Sequence, residues 1–231
     1  MKTTISIAII VLSSLGLWAQ SACNNYFPME EGATFQYTTF DKKGKMEAKA
    51  DYTVTEVETV EAGTQATLSI NFKDKKEKEV MTSSYRYTCA GDRIIVDYQS
   101  LFPSEMLEQY SNMDVDMSFT GTDIEIPNTL SVGQELEDAN VTMNFSAAGM
   151  TMKTTVDMIN RKVEKKESVT TPAGTFDCYV IYNDTEAKVM MSKNRSSSRM
   201  WLAENIGMVK QEMYNKGGKT ISTTELTSYT Q

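Results

Sequence analysis

The stretch Ala66-Thr67-Leu68-Ser69-Ile70-Asn71-Phe72-Lys73 alternates apolar and polar side chains without a break. Successive side chains on an extended chain point to opposite faces, so this pattern puts one face in a core and the other in water. A helix would scatter the same residues around its axis. The pattern recurs downstream. Val141, Met143 and Phe145 alternate with Thr142 and Asn144. Met150, Met152, Val156 and Met158 share one face, opposite Thr151, Lys153, Thr155 and Asp157. Threonine is frequent throughout and suits the wet side of a pleated sheet. The spacing therefore predicts an all-β chain of antiparallel strands.

Reversal signals lie between the strands. Asp41-Lys42-Lys43-Gly44-Lys45 separates Phe35–Phe40 from Glu47–Val60, and Asn215-Lys216-Gly217-Gly218-Lys219 separates Met208–Tyr214 from Thr220–Tyr229. Both place glycine where a hairpin needs positive φ. Ala62-Gly63, Ala90-Gly91-Asp92 and Ala148-Gly149 read as further tips. Thr171-Pro172-Ala173-Gly174 closes Arg161–Thr170 and starts Phe176–Lys188. One segment breaks the β pattern. Pro103–Tyr110 reads as a short helix, with Leu101, Phe102, Met106, Leu107 and Tyr110 forming an apolar stripe.

The beginning of the chain reads as a secretory signal over residues 1–22. Lys2 supplies the positive end, Ile5–Trp18 the apolar run, and Ala19-Gln20-Ser21-Ala22 the small-residue exit. The run is short for a bilayer span of about 20 residues. Residues 23–231 then form one domain. The expected location is the periplasm of a Gram-negative bacterium or, as a lipoprotein, its outer membrane. Cys23 decides between the two. Ser21-Ala22 suits acylation of Cys23, whereas Gln20 stands where leucine is usual. Ordinary cleavage after Ser21 or Ala19 is the other outcome. A membrane partner is expected only if Cys23 is lipidated.

Composition narrows the function. The chain has 23 Lys and Arg against 31 Asp and Glu. Removing Lys2 with the leader leaves 22 against 31, a net charge of −9. That balance argues against a nucleic-acid partner, which needs a basic face. Histidine is absent. No Ser-His-Asp or Cys-His arrangement is available, and the commonest metal ligand is missing. No pair of acids stands out as a hydrolytic couple. The expectation is a protein without catalytic residues, cofactor or metal. Asp114, Asp116, Asp123 and Glu125 match no EF-hand spacing and read as the wet side of strands.

Three cysteines are present. Cys89 and Cys178 both fall on apolar faces and could pair, and Cys23 could pair with either. Lys73–Lys78 reads as a solvated hairpin tip. The Ser-rich, basic run Lys188–Arg199 reads as a mobile loop. Methionine is abundant, at 16 residues. It either fills an irregular core or lines a cavity that accepts varied apolar shapes. The candidate cavity-lining residues are Leu68, Ile70, Phe72, Met106, Met143 and Phe145, with Met150, Met152, Val156 and Met158. The expected partner is a lipid or other apolar small molecule, or alternatively an envelope protein held by edge strands or the Ser/Lys run.

Two further segments carry a resemblance. They are Val169-Thr170-Thr171-Pro172-Ala173-Gly174-Thr175-Phe176-Asp177-Cys178-Tyr179-Val180-Ile181 and Trp201-Leu202-Ala203-Glu204-Asn205-Ile206-Gly207-Met208-Val209-Lys210-Gln211-Glu212. With the opening Cys23–Gly32 and the central Ser131-Val132-Gly133-Gln134, they resemble the TapB-like family of exported bacterial proteins of unknown function. The resemblance implies one strongly curved antiparallel sheet, an open half-barrel similar to the LolA/LolB lipoprotein-localisation fold, with the short helix covering the concave side. It supplies no catalytic residues. The motif residues have plain structural roles: Pro172, Gly174 and Gly207 shape turns, and Phe176 and Trp201 are large apolar anchors.

Overall fold

A computed structural model describes residues 26–98, 100, 116–147, 150–189 and 191–231. The leader, Cys23, the Pro103–Tyr110 segment with Met106, and the Ala148-Gly149 tip lie outside the described residues. Of Met150 the backbone alone is described.

The described residues form β1 (Thr34–Asp41), β2 (Met46–Val60), β3 (Gly63–Asp74), β4 (Glu79–Ala90), β5 (Arg93–Val96), β6 (Asp116–Thr122) and β7 (Ile124–Pro127). They continue with β8 (Ala139–Ala147), β9 (Met150–Thr171), β10 (Gly174–Val189), β11 (Ser192–Ala203), β12 (Gly207–Asn215) and β13 (Thr220–Thr230). All join one antiparallel sheet in the order β6-β8-β9-β10-β11-β12-β13-β1-β2-β3-β4-β5-β7. The all-β, single-sheet expectation holds. The sheet curls further than a half-barrel, into a nearly closed barrel shape with one unsealed seam between β6 and β7.

Most reversals fall where turn chemistry put them. Asp41 accepts the backbone N–H groups of Lys43 and Lys45 at 2.7 and 2.9 Å. Asn215 does the same for Gly217 and Lys219 at 2.9 and 3.1 Å, and Asp74 for Lys76 and Lys78 at 2.8 and 3.0 Å. A short acid or amide side chain thus caps each tip, and the lysines project into water. Gly63 is needed for a different reason. Its φ is +145°, and a Cβ there would lie 1.9 Å from the carbonyl oxygen of Cys89. Only a residue without a side chain lets β3 start so close to the end of β4.

Two segments depart from the reading of the sequence. The β9 alternation and Arg161–Thr170 are one 22-residue strand rather than two. Asn160, at φ +55°, forms an irregularity that bends the strand without ending it. The run read as a mobile loop, Lys188–Arg199, is a paired hairpin. Val189 faces Ser192, and Asn183 faces Ser198 across the β10–β11 ladder. Glu186 pairs with both Lys193 at 2.5 Å and Arg195 at 2.7 Å, and buried Ser198 donates to Asn183 at 2.7 Å. Serines are compatible with a strand when both ladder partners and side-chain partners are present.

The core has an inner and an outer part. Inside lie Phe35, Tyr37, Val54, Leu68, Tyr87 and Ile94, and next to them Tyr26, Ile126, Leu136, Val163, Ile181 and Leu202. On the opposite face of β10, β11 and β12, Cys178, Val180, Trp201, Ala203 and Val209 form a third cluster. Trp201 is an anchor as expected. Its indole N–H donates to Glu167 at 2.7 Å, and the ammonium of Lys210 lies 4.9 Å from its ring.

The seam is crossed by the chain itself. Asp123 alone connects β6 to β7, and the segment after β7 runs across to β9, where Glu135 bridges to Lys162. Buried Arg161 of β9 completes the tie. One guanidinium nitrogen donates to the carbonyl oxygen of Glu137, and another to that of Glu125 on β7 at 3.0 Å. Burial pulls its pKa down, while Asp138, Glu125 and Glu137 act in the opposite sense.

Candidate functional site

The inner face lines an apolar cavity of about 480 Å³ that is partly open to solvent. One wall comes from β1 to β4. Leu68, Ile70 and Phe72 project from the inward side of β3, because alternation with Thr67, Ser69 and Asn71 gives that strand one apolar face. Phe35 and Tyr37 of β1, Tyr52 of β2, and Ser83 and Tyr85 of β4 extend the wall sideways. The facing wall is Met200 and Leu202 of β11, Ile206, and Met208 of β12. Phe27 and Pro28 close one side.

Ladder register assembles the aromatic part. Tyr37 stands opposite Ala50, Tyr52 opposite Ile70, and Tyr85 opposite Leu68. The small or aliphatic neighbours let the rings lean across strands. Tyr37 meets Tyr52 edge-on at 5.1 Å, Tyr52 meets Tyr85 edge-on at 6.2 Å, and Tyr85 approaches Tyr87 at 5.9 Å. Two phenols at the ends are engaged. Tyr37 donates to the carbonyl oxygen of Met208 at 2.9 Å, which links the two walls. Tyr87, fully buried, donates to the carbonyl oxygen of Pro28 and holds the Phe27-Pro28 side in place. Burial raises the pKa of Tyr37, Tyr52, Tyr85 and Tyr87, so these phenols are neutral at any physiological pH.

The structure divides the cavity-lining candidates. Leu68, Ile70 and Phe72 line this cavity. Val156 and Met158 instead border a small apolar recess of about 30 Å³ beside the seam, with Ile124 and Val141. Met143 and Phe145 of β8 sit opposite Thr154 and Met152 of β9 and do not line the cavity, and Met152 is 40% exposed. Met106 and the side chain of Met150 lie outside the described residues. The reading of the sequence missed Tyr37, Tyr52, Ser83, Tyr85, Met200 and Met208. Each strand contributes one or two of them, and only register brings them together.

The cysteines are also sorted. Cys178 is a free, buried thiol in the outer cluster, whereas Cys89 is disulfide-bonded and packs in the inner one. The Cys89–Cys178 pairing is therefore not formed. Their strands have six others between them in the sheet, and the side chains belong to separate clusters. Burial pushes the Cys178 thiol up to about 12, helped by Asp177 and Glu167.

A second depression, about 670 Å³, surrounds Arg161 with Glu135, Glu137, Asp138, Lys162 and Asp184. It is open and polar. Among the described residues no group of three or more Asp, Glu or Cys is arranged to hold a metal ion.

Two solved structures share the fold. One, from Bacteroides fragilis, is described as an exported protein with a YmcC-like fold. It is 20% identical with a TM-score of 0.70, over 90% of this chain and 100% of that one. The other, from Parabacteroides distasonis, is described as a lipoprotein. It is 24% identical, also at a TM-score of 0.70, over 90% of this chain and 99% of that one. No curated protein matches the chain. The TapB-like and LolA/LolB-like resemblances find no counterpart in these comparisons. Residues 30–226, from just before β1 into β13, match the model of the DUF3108-like family, and with that span the chain belongs to the DUF3108-like family.

Proposed function

We propose that this is an exported, non-catalytic binding protein of the cell envelope that holds an acyl chain or similar apolar molecule inside its sheet. The observation that carries the reading is the cavity between β1–β4 and β11–β12. Its volume of about 480 Å³ falls in the range of about 300–1,000 Å³ typical of small-molecule sites, and aromatic, aliphatic and methionine side chains dominate its walls. Met81, Met200 and Met208 suit a ligand of variable shape, because an unbranched thioether repacks at little cost. The leader-like opening and the descriptions of the two structural neighbours support export.

Native mass spectrometry of the protein purified from its host's envelope fraction tests the reading. The expected result is a mass increment that is lost on organic extraction and that Ile70→Trp, which fills the cavity, abolishes. Recovery of the bare chain, together with no uptake of added acyl lipid, would refute it. A stoichiometric protein partner under the same conditions, without lipid, would favour an interaction module instead.

A further inference from the structure

Polar groups are sparse in the cavity, and most of them are hydroxyls. Among the described lining residues none carries a charge. The polar lining is the hydroxyls of serine and tyrosine with Gln211 at one side. Tyr37 and Ser100 spend their hydroxyls on backbone carbonyls, of Met208 and Asp97. Ser84 is exposed, and three buried or half-buried hydroxyls remain. Tyr52, Tyr85 and Ser83 have no hydrogen-bond partner among the described residues, although Ser83 is only 7% exposed and both rings are packed edge-on. None of these three oxygens is sealed inside the protein, so each is open to hydrogen-bond with whatever occupies the cavity. Here they border a space large enough for a ligand. Ser83 follows two positions before Tyr85 on the inward face of β4, and Tyr52 leans against Tyr85 from β2. The three therefore converge on one part of the wall.

We propose that the cavity selects an uncharged acyl ligand, an ester or amide whose carbonyl accepts hydrogen bonds from Tyr52, Tyr85 and Ser83, over a free fatty acid anion. This rests on the acyl-binding reading above. Hydroxyl donors satisfy an ester or amide carbonyl fully. A carboxylate would enter a space whose described lining offers it no cation, and an isolated buried charge is far more costly than a neutral polar group. The phenols are held neutral by burial and do not supply a counter-charge at physiological pH.

The test compares lauric acid with its neutral glycerol ester, monolaurin, each displacing a neutral fluorescent naphthylamine dye, between pH 4 and 8. Monolaurin is expected to bind with the same affinity across the range. Laurate is expected to weaken at least tenfold as its carboxyl group ionises. The double variant Tyr85→Phe/Ser83→Ala should weaken monolaurin about tenfold, from two lost hydrogen bonds. A wild-type circular dichroism spectrum and cooperative melting show that the variant is folded, and Ser83→Ala alone repeats the comparison if the double variant is not. Equal affinity of laurate and monolaurin at pH 8, or no effect of the variants on monolaurin, would overturn the proposal and leave acyl binding standing. Failure of both ligands to displace the dye would overturn acyl binding itself.

Discussion

Replacing Arg161 by methionine should loosen the seam. Arg161 is 5% exposed, and its guanidinium donates to two carbonyl oxygens, of Glu137 and of Glu125 on β7. It ties β9, two strands from one edge, to the strand at the other edge. A hydrogen bond from a charged donor contributes about 1.5–3 kcal/mol. Two such bonds set a gross loss of about 3–6 kcal/mol, less the relief of no longer burying a cation. The net expectation is a loss of about 2–4 kcal/mol. For a chain of this size about 2–4 °C in Tm accompanies each kcal/mol, so Arg161→Met should melt roughly 5–15 °C lower. Arg161→Lys should fall between, because one ammonium cannot reach both carbonyls with the fork geometry of arginine. The assay is thermal unfolding followed by circular dichroism, with hydrogen exchange of Ile124–Pro127 as the local readout. A Tm within about 1 °C of the wild type, with unchanged protection of β7, would show that desolvation cancels the bonds and that the seam is held without them.

Three further outcomes follow from the same geometry. Gly63→Ala should destabilise by at least about 3 kcal/mol, because it combines a φ of +145° with a collision against the Cys89 carbonyl; urea unfolding reads it, and a wild-type midpoint would refute the close approach. Cys178 should resist iodoacetamide in the native protein at pH 8 and react once unfolded, because burial holds its thiol protonated well above that pH; native alkylation within minutes would contradict it. Asp51, Glu77, Glu186 and Glu212 have pKa values below their ordinary range: for Asp51 and Glu212 their partners outweigh burial, and for Glu77 and Glu186 the leading cause is a lysine hydrogen bond. A depressed carboxylate stabilises the fold above its unfolded pKa and loses that contribution as pH falls through the folded one. Denaturant midpoints should thus hold from about pH 5 to 8 and drop below about pH 4, and a flat profile down to pH 2 would exclude these contacts as contributors.

What could be read in the sequence was whatever depends on near neighbours. Residues 66–73 form a strand because alternation is local, and the Asp41 and Asn215 tips form because each cap bonds to amides two and four positions on. Barrel-like closure was not legible, since it depends on β13 fitting between β12 and β1. The Ser192–Ser198 stretch misled because its strand character comes from Glu186 and Asn183 on the partner strand, not from its own side chains. The cavity was legible in part. Leu68, Ile70 and Phe72 share one strand and could be found by period, whereas the tyrosine row arises from one residue each on β1, β2 and β4. Met143, Phe145 and Met152 have the right period but lie on strands that extend past the cavity.

The place of β13 also bears on how the chain reaches its fold. Thr34 pairs with Thr230, so the first described strand waits for the last. Until β13 arrives, β1 and β12 both expose unsatisfied backbone along a full edge, and such edges recruit other chains. Contacts between residues this distant in sequence are slow to form. During synthesis the incomplete sheet has no way to close, so a holding factor that masks those edges would protect it. Closure after the whole chain is delivered is compatible with passage across a membrane before folding. Deleting Thr220–Gln231 should therefore produce an aggregating chain rather than a slightly weakened barrel.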